Sequence, residues 1–225
     1  MSKVLAPFVA LFMLVGCAGE RVPAQTAATL KREPVAAAFC MNSRRIHYQE
    51  LVYKVLYNET VTHDSVFDGL WDVDSELSPF WAKQLPQAGL QARSINALVP
   101  SSELPPGWCK TLGGEAEPGT LSAPIQKALL EQQINYLVLL RAWQFSVSSY
   151  SFGGYSQLII QGELIVHNVR SNRKEFSEHV SMAGSIGGHS PRELEANDLA
   201  LLKQTARELI ATQGVKWLRS AVETN

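Results

Sequence analysis

The sequence predicts an α+β fold: one domain built on a mixed or antiparallel sheet with a three-strand meander, and helices packed on one face of that sheet. Two patterns carry this expectation. Downstream of residue 135, three long segments alternate apolar and polar residues and are separated by turn-forming residues. Around them, apolar stripes recur at three- and four-residue spacing, the mark of helices with one face to bury. A hydrophobic share of 46% with 18% charged residues describes a chain able to fill a core, and excludes an intrinsically disordered one.

The elements can be justified in order. Residues Ala18 to Ala38 carry alanines, scattered charges, Pro23 and Pro34 without a sustained apolar period, and read as a flexible tether. Tyr48 to Tyr57 alternates and reads as a first strand, followed by a polar, acidic loop from Asn58 to Asp74. Ser75 or Ser78 can cap a helix that tolerates Pro79 in its first position and places Leu77, Phe80, Trp81 and Leu85 on one face. Pro86 and Gly89 end it. A weak strand near Ala92 to Val99 then leads into a loop broken by eight Pro and Gly residues from Pro100 to Gly119. A second helix runs from Ala123 to Gln133, with Ile125, Leu129 and Leu130 inward.

Tyr136 to Val147 starts as a continuous apolar run and ends in alternation, with Trp143, Phe145 and Val147 set against Gln144, Ser146 and Ser148. Gln157 to Val169 places Leu158, Ile160, Leu164 and Val166 opposite Gln161, Glu163 and His167. After a turn near Ser171 and Asn172, a third strand sets Phe176, Val180 and Met182 against Ser177, His179 and Ser181. The three form an antiparallel meander with one wet face. Gly184-Ser185-Ile186-Gly187-Gly188 reads as a connector to a last helix, which Ser190-Pro191-Arg192-Glu193 opens as a capping box. Its stripe continues through Leu199, Leu202, Ala206, Ile210 and Trp217, with Gly214 as a possible end point.

At the amino terminus, Lys3, an apolar run from Val4 to Val15 and small residues at its exit make a secretory signal peptide over residues 1–16. The run is too short for the roughly 20 residues of a membrane span. Its final residues, Leu14-Val15-Gly16-Cys17, resemble a bacterial lipobox. That resemblance implies a mature chain that starts at Cys17, carries acyl chains (palmitate among them) on that residue, and is anchored in a membrane through its amino-terminal lipid. Ala18, in place of an Asp, resembles the signal for sorting to the outer membrane, facing the periplasm. The organisation expected is therefore a signal peptide at 1–16, a lipidated and flexible segment at 17–38, and a periplasmic α+β domain at 39–225.

With Cys17 given to lipid, Cys40 and Cys109 remain as a pair in an exported, oxidising setting, where a disulfide is expected; two separate buried thiols are the alternative. Twenty Lys and Arg against 21 Asp and Glu leave no basic surface of the kind nucleic acid requires. Asp64, Asp68, Asp72, Asp74 and Glu76 cluster, but their spacing fails the EF-hand pattern and reads as a solvated loop that caps a helix. His167 and His179 fall on one polar face without further ligands, and no metal site is read from them. No cofactor motif and no Ser, His and Asp set is recognisable, so no catalytic residue is assigned. Tyr150, Phe152 and Tyr155, surrounded by Gly and Ser at a strand turn, are the candidate partner-binding residues.

The strand and helix order resembles a group of envelope proteins that includes the amino-terminal domain of TolB, CsgG, PelC and auxiliary lipoproteins of ABC transporters. The stretch that carries the resemblance is Ile134-Asn135-Tyr136-Leu137-Val138-Leu139-Leu140 with the polar-faced strand pair and closing helix after it. Anchor and site reading together lead to a non-catalytic envelope lipoprotein that assists assembly or transport by binding a protein partner. The alternatives are a carrier of a lipid or glycan ligand, and a hydrolase.

Overall fold

A computed structural model describes residues 21–42, 46–54, 57–63, 71–112, 119–150, 155–187, 191–195 and 198–223. The expected signal peptide and Cys17 lie outside these residues. Seven strands form one mixed sheet: β1 (Val35–Met41), β2 (His47–Lys54), β3 (Tyr57–His63), β4 (Ala92–Ser94), β5 (Tyr136–Tyr150), β6 (Tyr155–Asn168) and β7 (Arg173–Gly187). The helices are α1 (Ala24–Arg32), α2 (Val73–Gln84), α3 (Ile95–Leu98), α4 (Ala123–Glu131), α5 (Pro191–Glu195), α6 (Ala200–Leu209) and α7 (Val215–Val222). The fold is α+β, as the sequence predicts.

β5 organises the sheet because it is long enough to hold three partners. β6 pairs with it antiparallel along its length, while β1 and β2 lie end to end along its other edge, both parallel to it. β4 adds to β1 in parallel, β3 to β2 and β7 to β6 antiparallel. In β5, Trp143 has no partner in β6, since Ala142 pairs with Gly162 and Gln144 with Gln161. This bulge switches which side chains face the main core, from Val138, Leu140 and Ala142 before it to Phe145 and Val147 after it. Trp143 is thereby turned out of the alternating set expected for it, and packs edge-on against His179 at 5.1 Å.

Helices cover both faces of the sheet. On one, Leu30 of α1, Leu77 and Trp81 of α2, Leu202 and Leu209 of α6 and Leu218 of α7 meet Phe39, Leu140, Phe145, Leu164 and Met182. On the other, Ile95 and Leu98 of α3 and Ile125 and Leu129 of α4 meet Ala36, Ala38, Leu137, Leu139 and Ile165. The expectation of one covered face therefore holds for β7 and the far halves of β5 and β6, and fails around β1 and the adjoining halves of β5 and β6. Every residue of β1 is buried. A strand with both faces covered has no polar side to show, so Val35–Met41 lacks the alternation that announces a half-buried strand.

The expected tether at 17–38 is corrected for the same reason. From Val22 onward the chain belongs to the domain: Ala27 and Leu30 of α1 are in the core, and β1 begins at Val35. Two more expectations change. Gly184–Gly187 is the end of β7 rather than a connector, and the last helix is broken, with Asp198 and Leu199 at φ 52° and 56° between α5 and α6. Gly214 does not stop the chain's helical course. It sits in a π-helical turn, Ile210–Gly214, where a side chain would meet Trp81 and Met182, and α7 follows directly.

Cys40 on β1 and Cys109, in a 3-10 turn at Trp108–Leu112, form a disulfide with Cα atoms 6.3 Å apart. Both residues are fully buried. The bond pins the Pro- and Gly-rich loop onto the α3/α4 side of the sheet. Purified mature protein is expected to show no reactive thiol at Cys40 or Cys109 under denaturing, non-reducing conditions. Replacing both with Ala is expected to lower unfolding free energy by about 4 kcal/mol, read from denaturant titration. Two free thiols at these positions would contradict the pairing.

Candidate functional site

The shortness of β4 leaves a crevice in the described surface. β4 pairs with β1 only at Val35, Ala36 and Ala37, and the chain turns into α3 immediately after Ser94. Past Ala37, that edge of β1 has no strand beside it, yet it is buried, and its backbone groups must find partners. α2 supplies them. The Ser78 hydroxyl accepts from the Phe39 N–H at 3.0 Å and donates to the Phe39 carbonyl at 2.9 Å, and Asp74 Oδ1 accepts from the Met41 N–H at 2.8 Å.

Where β4 would have continued there is a space of about 230 Å³. Asp72, Asp74 and Ser78 line it from α2, and Asn96, Val99, Leu104 and Trp108 from the segment after β4. After β1 the chain makes the β2–β3 hairpin and then α2 on one face of the sheet, while β4 leads directly to α3 on the other face. The crevice thus opens at the carboxyl ends of two adjacent parallel strands whose onward connections go to opposite faces, the kind of place where open α/β sheets bind ligands. Carboxylates and hydroxyls make one wall, and Val99, Leu104 and the half-buried Trp108 make the other.

The acidic cluster divides into separate structural duties. Asp72 caps α2 by accepting from Ser75 N–H at 3.3 Å, in place of the Ser75 or Ser78 cap expected. Asp74 holds β1, and Glu76 pairs with Lys203 at 3.7 Å and Arg207 at 3.2 Å of α6. Asp64 and Asp68 lie outside the described residues. Pro79, expected in the first turn, sits in the body of α2. Its missing N–H falls two turns into the helix, next to the Ser78 hydroxyl that serves β1.

The two histidines are not neighbours. His179 is exposed and pairs in register with Glu163, whereas His167 pairs with Lys174, further along the hairpin. His167 is fully buried, with Nε2 3.0 Å from Asn172 Oδ1. Asn172 adopts φ 51° in the β6–β7 turn and also grips both backbone groups of Leu121, at 2.8 and 3.1 Å. Burial lowers the His167 pKa below its ordinary value, against smaller upward effects of the Asn172 hydrogen bond and of Glu175. On the same face, Arg141 Nη2 meets Glu163 Oε2 at 2.8 Å, Lys174 reaches Glu163 at 3.5 Å, and Arg141 Nη1 touches the Lys110 carbonyl at 3.5 Å. Lys110 follows Cys109, so this buried ion pair and the disulfide hold the same loop.

Of the aromatic turn, Tyr150 and Tyr155 face each other in backbone register at the ends of β5 and β6. Phe152 lies outside the described residues, as do the side chains of both tyrosines. The crevice was not legible in the sequence, because nothing in Ala92–Ser94 signals that a parallel strand stops there.

The sequence matches no family model and no curated protein. Solved structures that are similar include a dodecamer of a PelC variant from Paraburkholderia phytofirmans, at 10% identity over 85% of this chain and 89% of that one, with a TM-score of 0.43. The hypothetical protein CT253 from Chlamydia trachomatis is similar at 11% identity over 85% and 98%, with a TM-score of 0.47. Lipoprotein GNA1162 from Neisseria meningitidis is similar at 12% identity over 77% and 97%, with a TM-score of 0.39. None of these reaches a TM-score of 0.5, and the functional reading rests on this chain's own residues.

Two expected outcomes follow from the geometry. Ser78→Ala removes the partner of both Phe39 backbone groups and is expected to destabilise by about 2–6 kcal/mol in denaturant titration, at about 1–3 kcal/mol for each orphaned buried group. A loss below 0.5 kcal/mol, or about the size of a surface substitution, would show that β1 finds other partners. For His167, the folded form resists protonation, so the unfolded state binds more protons once pH falls below about 6.5. Stability is full above that value and declines below it, by at most about 1.4 kcal/mol per pH unit. The decline should be shallower in His167→Gln; equal slopes would refute the assignment.

Proposed function

We propose that this chain is an envelope lipoprotein, cleaved before Cys17, acylated there, and held at the periplasmic face of the outer membrane, where it binds a protein partner without catalysis and assists assembly or transport. The observation that supports the reading most is the sealed Cys40–Cys109 bridge in a chain whose residues 1–17 read as a leader and lipobox. Disulfides of this kind persist outside the reducing cytosol. No described helix is long and apolar enough to cross a membrane, so attachment in this proposal falls to the lipid. The crevice beside β1 is the binding surface we assign, since rigid elements frame it and it joins an aromatic platform to polar groups.

A second reading is favoured by the same walls. Planar carboxylates, Asn96 and hydroxyls beside Trp108 suit a polyhydroxylated ligand such as a glycan better than an acyl chain. One experiment separates the two. A photo-crosslinking residue at Ser101, on the crevice rim, should yield a discrete protein adduct in intact envelopes, and Trp108→Ala should abolish it. The same residue at Lys127 on α4 should yield none. A Ser101 adduct with glycan alone would establish the second reading, and equal labelling from Ser101 and Lys127 would overturn the crevice as a binding surface.

A further inference from the structure

The amino-terminal end of the described chain is fixed, and this limits how the domain can sit on a membrane. Val22 is buried, and its N–H donates to the Ala221 carbonyl at the end of α7, at 3.1 Å. One turn later Thr26 donates to Glu175 Oε2 at 2.6 Å, and Asn168 donates to Glu175 Oε1 at 2.6 Å, so α1 is tied to β6 and β7. Five residue steps separate Cys17 from Val22. Fully extended, they span at most about 18 Å.

A domain of about 200 residues has a radius of gyration of about 17 Å, so its diameter is about twice the reach of this connection. A domain so held cannot present any side at random. On the reading that Cys17 carries the lipid, we infer that the end of the domain formed by the start of α1 and the carboxyl end of α7 faces the bilayer, and that the crevice faces away from it.

The sheet's register supplies the second half of this statement. Gln87, whose carbonyl accepts from Arg219 of α7 at 2.9 Å, precedes β4, and β4 begins opposite Val35, the first residue of β1. Asn168 and Tyr136 mark the same end of β5 and β6, since Ala36 pairs with Leu137 and Tyr136 with Asn168. Val22, Ala221, Gln87 and Asn168 therefore gather at the amino end of β1. Asp74 and the crevice lie at its carboxyl end, beside Met41. Six strand steps separate Val35 from Met41, about 20 Å. Exposed Arg21, Lys216 and Arg219 lie at or near the anchored end together with the acids Glu33, Glu175 and Glu223, so the short connection, and not net charge, sets the orientation.

The test uses the lipidated chain in vesicles of phosphatidylethanolamine and phosphatidylglycerol that carry an energy acceptor on the headgroups. With Cys17 acylated and Cys40 and Cys109 bridged, a donor dye can be placed at Ser220→Cys or at Ser101→Cys, both exposed positions. Transfer from Ser220 is expected to exceed that from Ser101 several-fold. Inserting a flexible segment of about 20 residues after Ala18, which would let the domain roam by about 25 Å, is expected to abolish the difference while the protein still floats with the vesicles. Equal transfer from the two sites in vesicle-bound protein overturns the orientation. Failure to float, shared with Cys17→Ser, overturns the lipid-anchor reading instead.

Discussion

Strand β1 runs further than its neighbour β4, and the burial of that unaccompanied edge is the constraint on which the rest of the structure depends. A buried peptide edge must be satisfied, so α2 is held where Ser78 and Asp74 can reach Phe39 and Met41. That position sets the approach of Trp81 to the core and brings Glu76 within reach of Lys203 and Arg207 on α6. It also leaves room where β4 ends. The crevice is the space that remains when side chains, rather than a strand, complete a sheet.

The opposite face is fixed by different chemistry. The loop after α3 buries Val99, Leu112 and Leu121 in the second core, and three further attachments hold it at Cys109, Lys110 and Leu121: a disulfide to β1, a contact from the Arg141–Glu163 pair, and the Asn172 amide. Removing one partner of a buried ion pair is costlier than the pair itself is stabilising, since the survivor keeps its charge without solvent. Trp108 is presented to the crevice from this clamped loop. The rigidity of the candidate site therefore derives from both faces of the sheet.

How much of this was legible varied with burial. β7, the far halves of β5 and β6, α2 and α4 could be read because each has one wet side, which writes a period into the sequence, and the turn at Ser171 and Asn172 from its turn-forming residues. The Cys40–Cys109 pair was legible from cysteine count and compartment. β1 was not, because an all-buried strand of small residues carries no period, and Ala36–Ala38 looks like linker composition. The second helical layer was missed with it, since those alanines are small enough for α3 and α4 to close over the sheet. The bulge at Trp143 was hidden as well: a one-residue insertion leaves an apolar run looking continuous. Of the candidate site, Asp72 and Asp74 were noticed for charge, whereas Trp108, Asn96 and the end of β4 carried no local signal.

The pairing of β1 with β5 has a consequence for biogenesis. Val35–Met41 enters the sheet against Leu137–Ala142, about a hundred residues later in the chain. In a chain synthesised amino terminus first, this all-apolar strand emerges early and its parallel partner late. Contacts of such sequence separation form slowly, and an unpaired apolar strand is a template for aggregation in the interval. The order of the elements thus leaves β1 without its parallel partner until most of the chain has been made.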